Sequence, residues 1–226
     1  MIFIKKFMPV LLLGLLPSVG YPAVAARRQL PAQAAAAHPD LAEDPIPAKQ
    51  VAFRNVMRKL WEEHIVWTRQ FIVSSAANLP DKGTASDRLM HNQVDIGNAI
   101  KPYFGQAAGE KLTVLLKEHI ATAADVVAAS KTKDSVKMQE ANLRWFANAS
   151  AIAAFLSAAN PKHWPAAEMK TMMHEHLNHT ATELQARLKG DWAADIAAYD
   201  QVHEHTLRMA DMLSAGIIGK YPQQFQ

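Results

Sequence analysis

The sequence predicts an all-α fold, a six-helix bundle built from three repeated helical hairpins. From about Lys49 onward, apolar residues recur at spacings of three to four, which is the period of an amphipathic helix. Signals for strands are weak, because valine and isoleucine are sparse and no Asn-Gly or Asp-Gly hairpin turn occurs. A short motif, glutamate-histidine followed by isoleucine or leucine, also occurs three times.

The motif is spaced like an internal repeat. Its copies are Glu63-His64, Glu118-His119 and Glu175-His176, with the histidines 55 and 57 residues apart. A further helical segment follows each copy, so the spacing is that of one hairpin used three times. The alternative is that any two amphipathic hairpins can be aligned until some residues agree.

Each histidine of the motif falls on the apolar stripe of its helix. His64, for example, follows Met57 and Leu60 at seven and four residues, spacings that place all three side chains on one face. His119 and His176 sit among leucines and methionines in the same way. Three inward-facing histidines are therefore expected.

Residues 1–25 have the pattern of a secretory signal peptide. Lys5 and Lys6 form a basic start, residues 10–16 an apolar run, and Ala23-Val24-Ala25 a small-residue cleavage site. The run is shorter than the roughly 20 residues that span a bilayer. We expect an exported protein, periplasmic or extracellular, with no stable membrane insertion after cleavage; an uncleaved anchor is the alternative.

Residues 26–48 are rich in proline and alanine and lack a sustained apolar period, which favours a disordered linker. The bundle domain is predicted over residues 49–226. With 226 residues in all, half of them apolar, the chain is long enough for one ordinary domain with its own core.

Turn residues divide the domain into its helices. The first hairpin runs from about Lys49, turns at Leu79-Pro80, resumes with Ser86 as a helix N-cap and closes at Pro102 and Gly105. The second covers a helix over 112–129 and a longer one ending at 160, and the third covers 166–189 and 192–218.

Alignment of the three hairpins pairs further polar residues. We call the second helix of each hairpin its return helix. Asn98, Asn148 and His205 fall at comparable places in the three return helices. Asp134 and Asp191 each open a return helix, at the same offset of 57 that separates His119 from His176.

Charge and cysteine content exclude several classes of partner. The formal charge of +3 falls to +1 once Lys5 and Lys6 are removed, so nucleic acid is not an expected partner. There is no cysteine, which excludes a disulfide-linked partner and thiolate metal sites. Histidine, carboxylate and methionine remain as side-chain metal ligands.

Three helices that run parallel would bring the motif histidines to one level. Three neutral imidazoles suit a divalent transition metal such as zinc, iron, copper or manganese, and neighbouring carboxylates would support them from a second shell. The candidate ligands are His64, His119 and His176, with Glu63, Glu118 and Glu175 flanking them. The alternative is that the histidines only pack and hydrogen-bond within the core.

A second, weaker metal candidate lies in the last helix. It consists of His203, His205, Met209 and Met212, whose soft and borderline donors resemble copper ligands. Methionine at helical spacing is also an ordinary core residue. Haem with histidine or methionine axial ligands stays open as well, although no feature selects it.

Other chemistry lacks its usual residues, since there is no Gly-x-Ser-x-Gly motif, phosphate-binding glycine loop or cysteine nucleophile. Only metal-assisted chemistry remains for an enzyme. A non-catalytic structural or partner-binding module is the alternative, with Trp61, Trp164 and Trp192 as exposed anchors.

The chain resembles an uncharacterised family of small bacterial all-helical proteins over roughly residues 60–225. The resemblance rests on an ordered set of motifs: Trp61-Glu62-Glu63-His64, Trp67-Thr68-Arg69, Leu79-Pro80-Asp81, Asp95-Ile96-Gly97, Pro102-Tyr103-Phe104-Gly105, Arg144-Trp145-Phe146-Ala147-Asn148-Ala149, Asp195-Ile196, Tyr199-Asp200 and Met209-Ala210-Asp211. The family implies the helical fold and has no established activity. Its members carry labels such as glycosyltransferase or acetylglutamate kinase, whose nucleotide-binding parts a small helical chain lacks. His203-x-His205 is not part of the family pattern.

Overall fold

The computed structural model describes residues 46–226, and in this range it is all-helical, as predicted. Six α-helices and one short 3-10 helix make up the described chain: α1 Ala48–Ala77, α2 Lys82–Phe104, α3 Gln106–Thr132, α4 Ser135–Ala159, α5 Ala166–Lys189, α6 Trp192–Lys220 and the 3-10 helix Pro222–Gln224. The predicted signal peptide, 1–25, and all but the end of the predicted linker, 26–48, lie outside the described residues.

The six helices form a closed ring around a common core. Each helix packs against the next one in the chain, and α6 packs against α1. In addition α1, α3 and α5 contact one another inside the ring. Because consecutive helices are antiparallel, these three inner helices run in the same direction, and residues at matching positions on them lie at the same height.

The turns explain where the helices begin. Asp134 and Asp191 cap α4 and α6, each carboxylate accepting a hydrogen bond from the backbone N–H three residues on. Ser86 does not cap α2, contrary to the prediction, and lies inside it. The helix begins four residues earlier, because the Asp81 carbonyl already accepts the Ala85 N–H at 2.9 Å.

Helices α2 and α3 are joined by Gly105 alone and cross very closely. A Cβ atom built on Gly97 would lie 2.6 Å from the carbonyl oxygen of Gly109, and the reverse contact is equally short. Only glycine at both positions permits this approach of the two backbones.

The core consists of two apolar layers with a polar layer between them. One apolar layer includes Met57 and Trp61, and the other includes Phe71 and Trp145. Trp61 and Trp164, predicted as exposed anchors, are both buried because they fill this core; Trp192 is exposed. None of the described helices is long and apolar enough to cross a membrane.

Candidate functional site

The polar layer is formed by the motif histidines of α1, α3 and α5. His64, His119 and His176 are only 2–3% exposed. The ring of His176 is near both of the others, with centroid distances of 5.8 Å to His64 and 6.1 Å to His119. The parallel inner helices thus bring together three side chains that are more than 50 residues apart in sequence.

Each motif histidine faces a polar residue of the following helix, 29 positions later. The amide nitrogen of Gln93 lies 3.2 Å from His64 Nδ1, and the amide oxygen of Asn148 lies 3.1 Å from His119 Nδ1. The third pair is two rings, His176 and His205, stacked with centroids 6.3 Å apart.

The return helices also bind the backbone one turn before each histidine. Asn92, Asn148 and His205 donate hydrogen bonds of 3.0–3.1 Å to the carbonyls of Leu60, Leu115 and Met172. Each of these carbonyls belongs to the residue four positions before a motif histidine. The sequence alignment paired Asn98 with Asn148 and His205, whereas these contacts pair Asn92 and Gln93 with them.

The hydrogen bonds fix which ring nitrogen carries the proton. Asn148 uses its amide nitrogen on a carbonyl, so its oxygen faces His119 and accepts the Nδ1–H. His119 Nε2 therefore carries the lone pair. His64 is the reverse case: its Nδ1 accepts from the Gln93 amide, whose nitrogen also donates to the Leu89 carbonyl, and its proton sits on Nε2. The Nδ1 of His176 is buried without a partner.

All three histidines are neutral at neutral pH. Burial lowers the pKa of His119 to about 4, and burial together with the nearby His119 lowers the pKa of His64 to about 3. Burial and then the neighbouring histidines lower the pKa of His176 well below its usual value. The layer therefore offers imidazole lone pairs with no proton to displace until the solution is strongly acidic.

The glutamates of the motif do not join the layer. Glu63 is half-buried on the flank of α1, where it pairs with Lys59 and with Arg88 at 3.1 Å. These hydrogen bonds, first from Lys59, lower the pKa of its carboxyl against the opposing effect of burial. Glu118 and Glu175 are exposed. This placement follows from the rotation of 100° per residue along a helix, which moves an adjacent side chain off the buried stripe.

The second predicted cluster divides between two faces of α6. His203 points to α1, where its Nε2 lies 3.2 Å from the Glu62 carboxylate. His205 points to α5 and is buried, as is Met209, and Met212 is half-buried beside them. Two positions along a helix amount to a rotation of about 200°, so His203 cannot share a site with the other three.

Small apolar cavities adjoin the histidine layer on both sides. The cavity one turn beyond it, near Thr68 and Thr180, measures about 30 Å³, and the cavity near Met57 and Trp61 about 10 Å³. Within residues 46–226, no three side chains of histidine, aspartate or glutamate are already arranged as metal ligands. Coordination of an ion would need the rings to turn towards a common point.

A buried ionic network lies further along the same inner face and was missed by sequence reasoning. Arg69 of α1 donates to Glu183 of α5 at 2.8 Å and to both oxygens of Asp195 of α6, and Arg187 donates to Asp195 at 3.1 Å. Both carboxylate side chains are only 1% exposed. Glu183 follows His176 by seven residues, so the stripe that placed the histidines also contained the signal for this residue.

The pKa values of the two carboxyl groups in this network shift in opposite directions. Burial raises the pKa of Glu183, and its one arginine partner only partly offsets this. Burial acts in the same direction on Asp195, but hydrogen bonds from Arg69 and Arg187 outweigh it and lower the pKa. The network therefore ties α1, α5 and α6 together through an ionised Asp195.

The fold and site define a class of protein: a closed ring of six helices with a buried, neutral histidine layer. Comparison with known proteins found no family model, curated protein or solved structure that this chain matches. The family resemblance noted from the motifs stays a prediction.

Proposed function

We propose that this protein is a triplicated helical hairpin whose central histidine layer binds one divalent transition metal ion, with zinc, iron, copper and manganese as the candidates. The observation that carries the proposal is the meeting of three neutral imidazoles, one from each inner helix, at one height in the core. His64, His119 and His176 would be the ligands, and a water molecule would complete a four-coordinate site.

The ring separations support a shared ion. An ion about 2.0–2.1 Å from each ligating nitrogen, in tetrahedral geometry, places two imidazole centroids about 5 Å apart. The observed separations from His176 are 5.8 Å and 6.1 Å. Ring rotations and a contraction of about 1 Å would close the difference.

The partners of the rings support the same proposal. Metal-bound histidines generally donate their second N–H to a carbonyl or carboxylate, which orients the ring. His119 already does so, since Asn148 accepts its Nδ1–H and Nε2 is left for an ion. His64 would need the Gln93 amide to turn over. The amide oxygen of Gln93, now buried without a partner, would then accept the His64 Nδ1–H, and the amide nitrogen would give up its hydrogen bonds to the Leu89 carbonyl and the Asn92 amide oxygen.

The triplication is supported by contacts that recur in all three hairpins. A residue of the return helix donates to the carbonyl four positions before each motif histidine. A threonine three or four positions after each motif histidine donates to that histidine's own carbonyl, namely Thr68, Thr122 and Thr180. The threonine contact is common in helices and also occurs at Thr113 and Thr182, so the recurring bond between helices carries the argument, because chance alignment of amphipathic hairpins gives no reason for it.

Haem is not part of this proposal, because the described cavities inside the core near the motif histidines, about 30 and 10 Å³, are far smaller than a porphyrin. The motif glutamates are not ligands in it either, since they lie off the buried face. Export to the periplasm or the medium remains part of it, on the strength of residues 1–25. Amino-terminal sequencing of the exported protein should begin near Ala26.

The test is metal content and binding. Full-length protein without an affinity tag should carry or take up about one equivalent of Zn²⁺ or Co²⁺, and Co²⁺ should give the visible absorption of a tetrahedral site. His119→Gln should abolish this binding while preserving a neutral side chain beside Asn148. Metal should also raise the melting temperature, because it binds only the folded chain.

The matched control is His203→Gln, which removes a half-exposed histidine that faces Glu62 of α1 and lies away from the layer. This variant should bind metal like the wild type. Equal Co²⁺ binding by His119→Gln and the wild type would overturn the proposal. So would a loss of bound Co²⁺ per protein molecule that occurs in His203→Gln and not in His119→Gln.

A second function, a structural module with packing histidines, is favoured by one specific observation. Ring nitrogens of His64, His119 and His205 already form hydrogen bonds, and no three ligands are pre-arranged in the described chain. This alternative predicts no metal binding, and a loss of about 1–3 kcal/mol in the free energy of unfolding for His119→Ala, since the buried Asn148 oxygen loses its donor.

A further inference from the structure

A groove of about 400 Å³ on the outside of α5 and α6 leads to the edge of the histidine layer. Its walls include Met172, Met209 and Met212, and its two acidic lining residues are Glu168 and Glu175. His205 lies in the same groove, with its ring stacked on His176 of the layer at 6.3 Å and an interplanar angle of 14°.

His205 presents a free acceptor in this groove. Its Nε2–H donates to the backbone carbonyl of Met172 at 3.0 Å, which fixes the tautomer and leaves the lone pair on Nδ1. Burial, partly offset by that hydrogen bond, lowers its pKa, so the ring is neutral at neutral pH. The charged or titratable groups around it are His179, Glu175 and Arg208.

The thioethers lie on the same face of α6 as this ring. Met209 and Met212 follow His205 by four and seven residues, which places the three side chains one above the other. All three line one groove. Thioether sulfur and imidazole nitrogen together select soft metal ions, and thioethers contribute little to hard or borderline divalent sites.

The charge of the groove also favours a cation. Glu168 and Glu175 are exposed on α5. Arg208, the one basic residue among the lining groups, is turned to Glu204 and donates to it at 2.6 Å. The groove thus combines a weakly acidic rim with a floor of soft donors.

We propose that this groove is a separate site for a soft monovalent cation, Cu(I) or Ag(I), bound by His205 Nδ1 and the sulfur atoms of Met209 and Met212. The site goes beyond the divalent site of the histidine layer and does not depend on it. The two sites differ in ligand chemistry, because one offers only nitrogen and the other nitrogen with sulfur. His203 has no part in it, since it faces α1.

The direct test uses full-length protein labelled with ¹³C at the methionine methyl groups and titrated with Ag⁺ in chloride-free buffer. The methyl resonances of Met209 and Met212 should shift first and saturate together at one equivalent. Met57, in the core, and Met138, exposed on α4, serve as internal controls and should not move with them. A simultaneous shift of Met138 would mean non-specific binding to accessible thioethers and would overturn the proposal.

The second test uses the double substitution Met209→Leu with Met212→Leu, which nearly conserves side-chain volume. Its affinity for Ag⁺ should fall by more than the roughly 10–100-fold that loss of an outer-shell partner costs, because two of the three proposed ligands are removed. Met138→Leu is the matched control and should bind as the wild type does. Unchanged Ag⁺ affinity in the folded double variant would refute the site.

The two proposals fail separately. If both hold, His119→Gln loses Co²⁺ but still binds Ag⁺, and the double methionine variant keeps Co²⁺ but loses Ag⁺. Loss of Ag⁺ binding in His119→Gln, with wild-type affinity in the methionine variant, would show that Ag⁺ binds at the layer and would refute the groove site alone.

Discussion

Acidification from pH 7 to pH 5 should destabilise the metal-free protein strongly, because the histidine layer is neutral in the folded state. The unfolded chain gains protons on its histidines below about pH 6.5. The folded chain does not, since burial lowers the pKa of His119 to about 4 and of His64 to about 3. The unfolded state therefore binds more protons over this interval, and stability falls as the pH falls.

The magnitude follows from the two pKa values. At pH 5 a histidine with an unfolded pKa of about 6.5 and a folded pKa of about 3 or 4 costs about 2 kcal/mol relative to pH 7. His64 and His119 together cost about 4 kcal/mol by this linkage, and His176 adds to the loss in the same direction. A domain of this size is typically stable by about 5–15 kcal/mol, so the effect removes a large part of the total.

The assay is urea unfolding followed by circular dichroism at pH 7 and pH 5, with a chelator present so that no metal competes with protons. The slope of the free energy against urea should be the same at both pH values. In His119→Gln, the loss between pH 7 and pH 5 should shrink by about 2 kcal/mol, because one proton-binding group of the unfolded chain is gone.

The control is His91→Gln, which replaces a histidine whose side chain is 67% exposed and whose 3.6 Å contact with Asp95 is a surface ion pair of small expected energy. This variant should lose as much stability on acidification as the wild type. This pH interval lies above the range in which most carboxylates titrate. Equal stability of the wild type at pH 7 and pH 5 would refute the reasoning, and so would a His119→Gln variant with an undiminished pH dependence.

Two further predictions concern stability at pH 7, measured by the same urea unfolding. Asp195→Asn should lower the free energy of unfolding by about 2–4 kcal/mol, because it removes the ionised partner of two arginines in a buried network. The control, Asp211→Asn in an exposed ion pair, should cost less than about 1 kcal/mol. Equal costs would contradict the buried network. Gly216→Ala should cost about 1–3 kcal/mol or more, since its Cβ would lie 2.0 Å from the Trp164 Nε1. Gly83→Ala lies in the first turn of α2 with no atom within 4 Å of the added Cβ, so it should instead raise the free energy of unfolding by about 0.4–1 kcal/mol. A Gly216→Ala variant as stable as the wild type would mean that Trp164 is free to move.

Periodicity in the sequence was sufficient to predict the helices and the burial of the motif histidines. Apolar residues at three-to-four spacing form one face of a helix, and that face is stable only when it is buried. The spacing therefore predicts both the helix and the face that turns inward. The N-caps Asp134 and Asp191 could be predicted equally well, because a capping side chain accepts a hydrogen bond from a backbone N–H only three residues away. Local interactions decide all of these features.

The pairing between helices could not be predicted in the same way. In the first hairpin, Asn92 and Gln93 of α2 contact α1 at the level of His64, and Asn98 does not. The reason is that the relative height of two antiparallel helices depends on their connection and on side-chain packing along the whole contact. Sequence periodicity is unchanged when one helix slides along another by a turn. The burial of Trp61 could have been predicted, because it follows Met57 by four residues and precedes His64 by three on the same stripe, whereas Trp164 lies in the connection between α4 and α5, where helical periodicity gives no signal.

The sequence alone therefore determined the fold class and three inward histidines, each on its own helix. The tertiary structure alone decided that His176 meets both His64 and His119, that Arg69 meets Asp195 across 126 residues, and that His205 lines a groove. The physical reason is that burial depends on the composition of one helix face, whereas a site depends on the distance between faces, which only the packed ring of helices fixes.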